Sequence, residues 1–221
     1  MNDGLNRAVA GEFIGTAFLL AAVVGSGIMG ERLAGGNVAI ALLANALATG
    51  AALVALIVTF GPISGAHFNP LVTLVAFSRG RGTGGTIAAF IGAQVAGAVS
   101  GVILAHAMFA EPLITWSAHV RSGAPQVLSE AVATFGLIGV IVSGSRRSPA
   151  AVPFAVAAYI VAAYWFTAST SFANPAVTIA RALTDTFAGI RPADVPWFVL
   201  AQGAGAGTAA AAFGWLVRDD R

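Results

Sequence analysis

Asn69-Pro70-Leu71-Val72-Thr73 and Asn174-Pro175-Ala176-Val177-Thr178 match at four of five positions and lie 105 residues apart. Their chemistry resides in two side-chain amides, which can donate hydrogen bonds to the acceptor oxygens of a neutral molecule without carrying charge. Asn followed by Pro also starts a helix. Asn suits the cap, and Pro suits the first turn, where its missing N–H costs nothing. Each pair opens an apolar run of about ten residues, half of the roughly 20 that a bilayer crossing needs. The pattern predicts two short helices, about 69–78 and 174–184. Their starts present unpaired N–H groups and about half a positive charge each. Two such ends meeting near a membrane midplane would repel cations, protons included.

The next candidates are polar residues inside apolar runs. Glu12 and Glu130 each have a Thr four residues on, Thr16 and Thr134. A carboxylate within a membrane span is a functional candidate by default, so one reading is a proton-coupling or catalytic pair. The other is structural: each accepts hydrogen bonds from the backbone of the loop leading into its half-helix, whose N–H groups need partners. The paired placement favours the structural reading. Gln94 and Gln202, each in an Ala-Gln pair, read as buried polar packing first and pore lining second. His67 stands two residues before Asn69 and is the histidine expected at a pore mouth, while His106 and His119 are expected at the membrane interface. No Ser/His/Asp set, phosphate loop, nucleotide motif or metal-ligand spacing occurs. The sequence therefore calls for no cofactor and no metal, and argues against an enzyme. There is no Cys, which excludes disulfides, thiol nucleophiles and thiolate metal sites.

The elements that must hold these residues are membrane helices. Of 221 residues, 57% are hydrophobic and only 9% charged, with mean hydropathy +0.85, whereas a soluble domain carries about 25% charge. The net charge is +2, and the pI near 9.9 reflects few titratable groups rather than a basic patch, so nucleic acid is not implied. Spans are predicted at about 8–29, 38–60, 84–107, 126–143, 150–167 and 197–217, with Gly61-Pro62 ending the second. The first is expected to be retained rather than cleaved as a signal peptide, since no small-residue cleavage site follows it.

The order of Glu-bearing span, span, Asn-Pro half-helix and Ala-Gln span occurs twice, in 8–107 and 126–217. Three spans per copy is odd, so the second copy is inverted in the membrane. The predicted fold is one all-α channel domain with six transmembrane helices and two re-entrant half-helices. Inverted repeats with interrupted helices place their site near the midplane. With the N-terminus inside, the inner face holds Arg7, Arg79, Arg81, Arg146, Arg147, Arg218 and Arg221. The outer face then holds Arg32, Arg121, Arg181 and Arg191. This bias predicts that both termini are cytoplasmic.

The run Ser64-Gly65-Ala66-His67-Phe68-Asn69-Pro70-Leu71-Val72-Thr73, with the second Asn-Pro-Ala, the paired Glu spans and the Ala-Gln pairs, resembles the aquaporin and glycerol-facilitator superfamily across essentially the whole chain. The resemblance implies passive flow of water or small neutral solutes, a homotetramer in the plasma membrane with one pore per protomer, and lipid as the surrounding partner. It also supports the structural reading of Glu12 and Glu130. Two departures stand out. Leu71 replaces the usual Ala of the first motif. Val177 stands where the family usually has an Arg lining the narrow outer selectivity filter. Arg181, four residues on, can share the face of Val177, about 6 Å further out, and is expected to border the outer vestibule.

The remaining filter positions fall by count on Thr49 and Ser171, with the fifth-span position on Ala162 or Tyr164. Aligning Pro153 with the family's span-start proline favours Tyr164. Such a filter is wide and without fixed charge. It should pass solutes at least as large as glycerol, and neutral metalloid acids such as arsenite or its methylated forms. The rival readings are a water-selective pore, a proton-coupled transporter using Glu12 and Glu130, and a non-conducting membrane-contact protein.

Overall fold

The computed structural model describes residues 3–78, 80 and 82–217. Among these residues eight α-helices follow one another: α1 (Asp3–Leu33), α2 (Val38–Ser64), α3 (Pro70–Phe77), α4 (Gly84–Phe109), α5 (Ala124–Arg147), α6 (Val152–Phe166), α7 (Pro175–Arg181) and α8 (Val195–Leu216). Single 3-10 turns, Pro149–Ala151 and Pro192–Asp194, lead into α6 and α8. Five helical stretches are long and apolar enough to cross a bilayer. The sixth, α8, has 22 residues, a length of about 33 Å, although Gln202 and its glycines dilute its apolar character.

α3 and α7 are the two half-helices, with 8 and 7 residues, about 12 and 10 Å long. The asparagines cap them as the sequence predicts. Asn69 Oδ1 accepts the Leu71 N–H at 2.9 Å, and Asn174 Oδ1 accepts those of Ala176 and Val177 at 3.0 and 3.3 Å. The six long helices surround this pair in two sets. α1 packs on α2 and α4, α5 packs on α6 and α8, and α2 meets α6 between the sets. Each half-helix rests on both α4 and α8, and the two touch each other. The second set repeats the element order of the first, and with three spans in the first set its membrane orientation is reversed, so the half-helices enter from opposite faces.

Several boundaries differ from the sequence expectation. Gly61-Pro62 does not end α2, which runs on to Ser64 and stops at Gly65. A proline in the last turn removes only one helical hydrogen bond. The stop comes from Gly65 at φ +90°, whose N–H closes on Gly61 O at 3.0 Å. α1 begins at Asp3, ahead of the span expected from about 8, and α5 continues to Arg147, past the end expected near 143. The second half-helix ends at Arg181 rather than near 184. Arg79, Arg81, Arg218 and Arg221, which weigh in the charge bias, lie outside the described residues.

Small residues set the distance between helices at equivalent points of the two sets. A Cβ on Gly97 of α4 would meet Phe13 O of α1 at 2.3 Å, and one on Gly205 of α8 would meet Ala131 O of α5 at 2.2 Å. A Cβ on Gly101 would likewise meet Ala17 O at 2.2 Å. The Gly11/Gly15 pair works differently: Gly15 leaves room for the Phe68 ring, while Gly11 has only ordinary contacts. Gly97→Ala and Gly205→Ala should therefore lower the melting temperature in detergent, by overpacking worth about 1–3 kcal/mol. Gly203→Ala, where a Cβ meets nothing within 4 Å, should not lower it. A thermal scan of the three variants checks this.

Candidate functional site

The site begins with two irregular loops, 65–69 and 169–174, held deep between helices. Irregular backbone survives there only if every polar group finds a protein partner or faces a cavity. Glu12 supplies partners to the first loop. Its Oε1 accepts the Ser64 hydroxyl at 2.6 Å and the His67 N–H at 2.9 Å. Its Oε2 accepts the Phe68 N–H at 2.7 Å and the Gln94 amide at 2.8 Å. Glu130 does the same for the second loop. It accepts the N–H groups of Phe172 and Ala173, both at 2.9 Å, and the Gln202 amide at 2.6 Å. Both carboxylates are fully buried. The two glutamines also donate to Thr73 at 2.8 Å and Thr178 at 2.9 Å, at the first turns of the half-helices.

The loops reach this geometry by alternating backbone conformation. Ala66 and Phe68 have φ +50° and +49°, and their equivalents Ser171 and Ala173 have +52° and +48°. A non-glycine residue in this region costs about 1–2 kcal/mol. Here it lets consecutive N–H groups converge on one carboxylate. The freed carbonyls serve the opposite loop: Asn69 Nδ2 donates to Ala173 O at 2.8 Å, and Asn174 Nδ2 donates to Phe68 O at 2.7 Å. Each asparagine thus caps its own half-helix and clasps the other. A primary amide has two N–H bonds, so one donor per asparagine is left for the cavity beside it.

That cavity has a volume of about 470 Å³ and runs past both asparagines. Toward the end of α3 it is bordered by His67, Val75 and Ala76, with Ser145 and Arg146 of α5. His67 Nδ1 lies 3.1 Å from Thr73 Oγ1, with the rings of Phe77 and Phe90 at 5.9 and 5.7 Å. Toward the end of α7 it is bordered by Thr49, Tyr164, Ser171, Val177 and Arg181. The Tyr164 hydroxyl is 3.3 Å from Thr49 Oγ1. Ala162, the other candidate for the fifth-span position, is exposed and does not border the cavity. Pro70 and Leu71 are buried behind the Asn69 cap, and Ala176 behind that of Asn174.

A model of the major intrinsic protein family matches residues 2–150. The chain belongs to that family. Aquaglyceroporin AqpS of Rhizobium meliloti (strain 1021) is 54% identical over 217 residues, covering 98% of this chain and 93% of that one. Aquaporin NIP6-1 of Arabidopsis thaliana is 32% identical over 142 residues, 63% of this chain and 45% of that one. The X-ray structure of the aquaglyceroporin from Plasmodium falciparum superposes with TM-score 0.71 at 19% identity, covering 94% of each chain. This major intrinsic protein is a membrane channel for small neutral solutes and not an enzyme. Among the described residues no group of His, Asp and Glu could hold a metal ion.

Some residues of this family member lie elsewhere than the sequence suggests. His106, in the last turn of α4, is packed inside the protein rather than exposed. It is 1% exposed, with Nε2 2.7 Å from Thr184 Oγ1 and Nδ1 3.1 Å from Leu113 O, and so ties α4 to the segments on either side of it in space. His119 is half-exposed, 4.0 Å from Asp185. Arg121 and Phe172 were not singled out. The Arg121 guanidinium reaches from the loop between the repeats to Gly189 O at 2.7 Å and Ser169 O at 3.2 Å, with its Cζ 5.0 Å from the centre of the Phe172 ring. Its local signal is weak, since the same connection also carries Glu111 and His119. The carboxylate geometry generates a test. Glu130→Gln replaces a pure acceptor by a group with one acceptor oxygen, and a charge-assisted hydrogen bond contributes about 1.5–3 kcal/mol. The variant should melt well below wild type, and its flux should fall with the folded fraction and be indifferent to an imposed pH gradient.

Proposed function

We propose that this channel passes glycerol-type polyols, water and neutral metalloid acids such as arsenite or its methylated forms. They move passively through an outer constriction that is wide because position 177 carries no guanidinium. The observation that carries the reading is the wall at the α7 end of the cavity. It sets three hydroxyls, from Thr49, Tyr164 and Ser171, against the methyls of Val177. The Ser171 Oγ is buried without a partner among the described residues. A polyol has one edge of hydroxyls and one of C–H groups, and this wall complements both. A filter selects by diameter and by its donors and acceptors, and replacing Arg by Val at its narrow point widens it. The 54% identity to an aquaglyceroporin supports the same reading.

The two asparagines, with Pro70, Leu71, Pro175 and Ala176 behind them, form the central constriction, and His67 borders the opposite mouth. Glu12 and Glu130 act as buried scaffolding, since their oxygens are engaged by loop and glutamine donors; this weighs against a proton-coupled transporter. The arginine bias supports cytoplasmic termini in the plasma membrane, and the family resemblance supports a homotetramer embedded in lipid.

Swelling of liposomes driven by a glycerol or arsenite gradient tests the proposal. Val177→Arg should cut both permeabilities about tenfold, a barrier of about 1.4 kcal/mol, and water permeability much less. Equal permeability in wild type and variant would refute the wide filter.

A further inference from the structure

The charge missing from position 177 reappears one turn later in an unusual setting. Arg181 closes α7 and is 2% exposed, yet it borders the cavity together with Tyr164, Ser171 and Val177. Side chains on a helix lean toward its N-terminus, so a long arginine at the end of α7 reaches back toward the level of the filter residues. The contacts agree with this. The Arg181 Cζ lies 3.4 Å from the centre of the Phe172 ring, and Phe172 is the neighbour of Ser171. The Nε donates to Ala188 O. That is its one side-chain hydrogen bond among the described residues, so the two terminal nitrogens are left to face the cavity.

Everything around this group fixes it in place. Phe172 is 5% exposed, with Phe198 edge-on at 5.2 Å. Arg121 stands over the same ring, but its nitrogens are spent on the carbonyls of Ser169 and Gly189. Two guanidiniums therefore contact one aromatic ring: Arg121 holds the loops, and Arg181 is the one that borders the cavity. A cation over an aromatic face is stabilised by the ring's quadrupole, which fits an arginine that makes one side-chain hydrogen bond in a buried site.

We infer that Arg181, stacked on Phe172, is the cation-excluding residue of this pore, acting from one turn outside the position where a fixed charge was expected. A held positive charge in a narrow, low-dielectric mouth repels protons and metal cations far more strongly than it would in water. The Arg181 guanidinium is stacked on Phe172, which leaves position 177 itself to the side chain of Val177. Size selection and charge selection, which a single Arg at 177 would combine, are divided between Val177 and Arg181. The inference rests on the channel reading proposed above.

The experiment uses full-length protein in liposomes holding a pH-sensitive dye. Proton entry is driven by a potassium diffusion potential, and glycerol swelling of the same vesicles reports the number of open pores. Wild type should swell with glycerol and show a low ratio of proton to glycerol permeability. Arg181→Met should raise that ratio at least tenfold. Arg181→Lys, which keeps the charge, should not. Adding Val177→Arg to Arg181→Met, with proton entry here normalised to water permeability because Val177→Arg itself lowers glycerol flux, should bring proton entry back down, as an electrostatic role requires and a purely structural one does not. A low ratio in Arg181→Met, a high ratio in Arg181→Lys or a high ratio in wild type that already swells with glycerol would each overturn the assignment. If Arg181→Met does not fold, Arg181→Gln is read by the same criterion, and a high wild-type ratio overturns the assignment on its own. Wild type that shows no glycerol swelling would instead refute the channel reading.

Discussion

A buried carboxylate that accepts the N–H groups of an irregular loop is the interaction on which this structure depends. Inside a membrane an unpaired amide costs several kcal/mol, and the loops before α3 and α7 cannot pair theirs within a helix. Glu12 and Glu130 solve this from neighbouring helices, each assisted by a glutamine from a third. Once the N–H groups point at the carboxylates, the carbonyls are free to point elsewhere. Two of them receive the asparagines of the opposite loop. The half-helix starts, the cavity beside them and its polar lining all follow from where those two charges sit.

The close approach of helices serves the same end. Gly97 and Gly205 each lie three residues past a glutamine that reaches a glutamate, and each meets the backbone of the residue just after that glutamate. A larger residue there would move the glutamine away from its carboxylate. Packing and polar satisfaction are thus coupled at one level of the membrane, once in each repeat.

Much of this was legible in the sequence because it is doubled. A single Asn-Pro is a common cap, but two copies with matched Glu, Thr and Ala-Gln partners define the repeat, the half-helices and the caps. What was not legible lies where the repeats differ or where chain separation is long. Arg121 meets its carbonyl partners 48 and 68 residues away, and no spacing rule connects an arginine in a loop to them. His106 read as interfacial because it sits near a span end, yet Thr184 and Leu113 cover it. The end of α2 was misplaced because Gly61-Pro62 is a stronger local signal than Gly65, while the left-handed backbone at Gly65 is set by the loop that Glu12 holds. Arg181 could be set on the face of Val177 by counting, but only the fold reveals the Phe172 ring on which it stacks.

The reciprocal clasp between Asn69 and Asn174 has a kinetic consequence. Each bond joins one half of the chain to the other beside the cavity, so rocking the halves apart would break both at once. A pathway pinned at its centre offers no second conformation to cycle through. Transit should then require no large rearrangement, rise in proportion to the gradient without saturating at a turnover rate, and depend on temperature as weakly as diffusion in solution does.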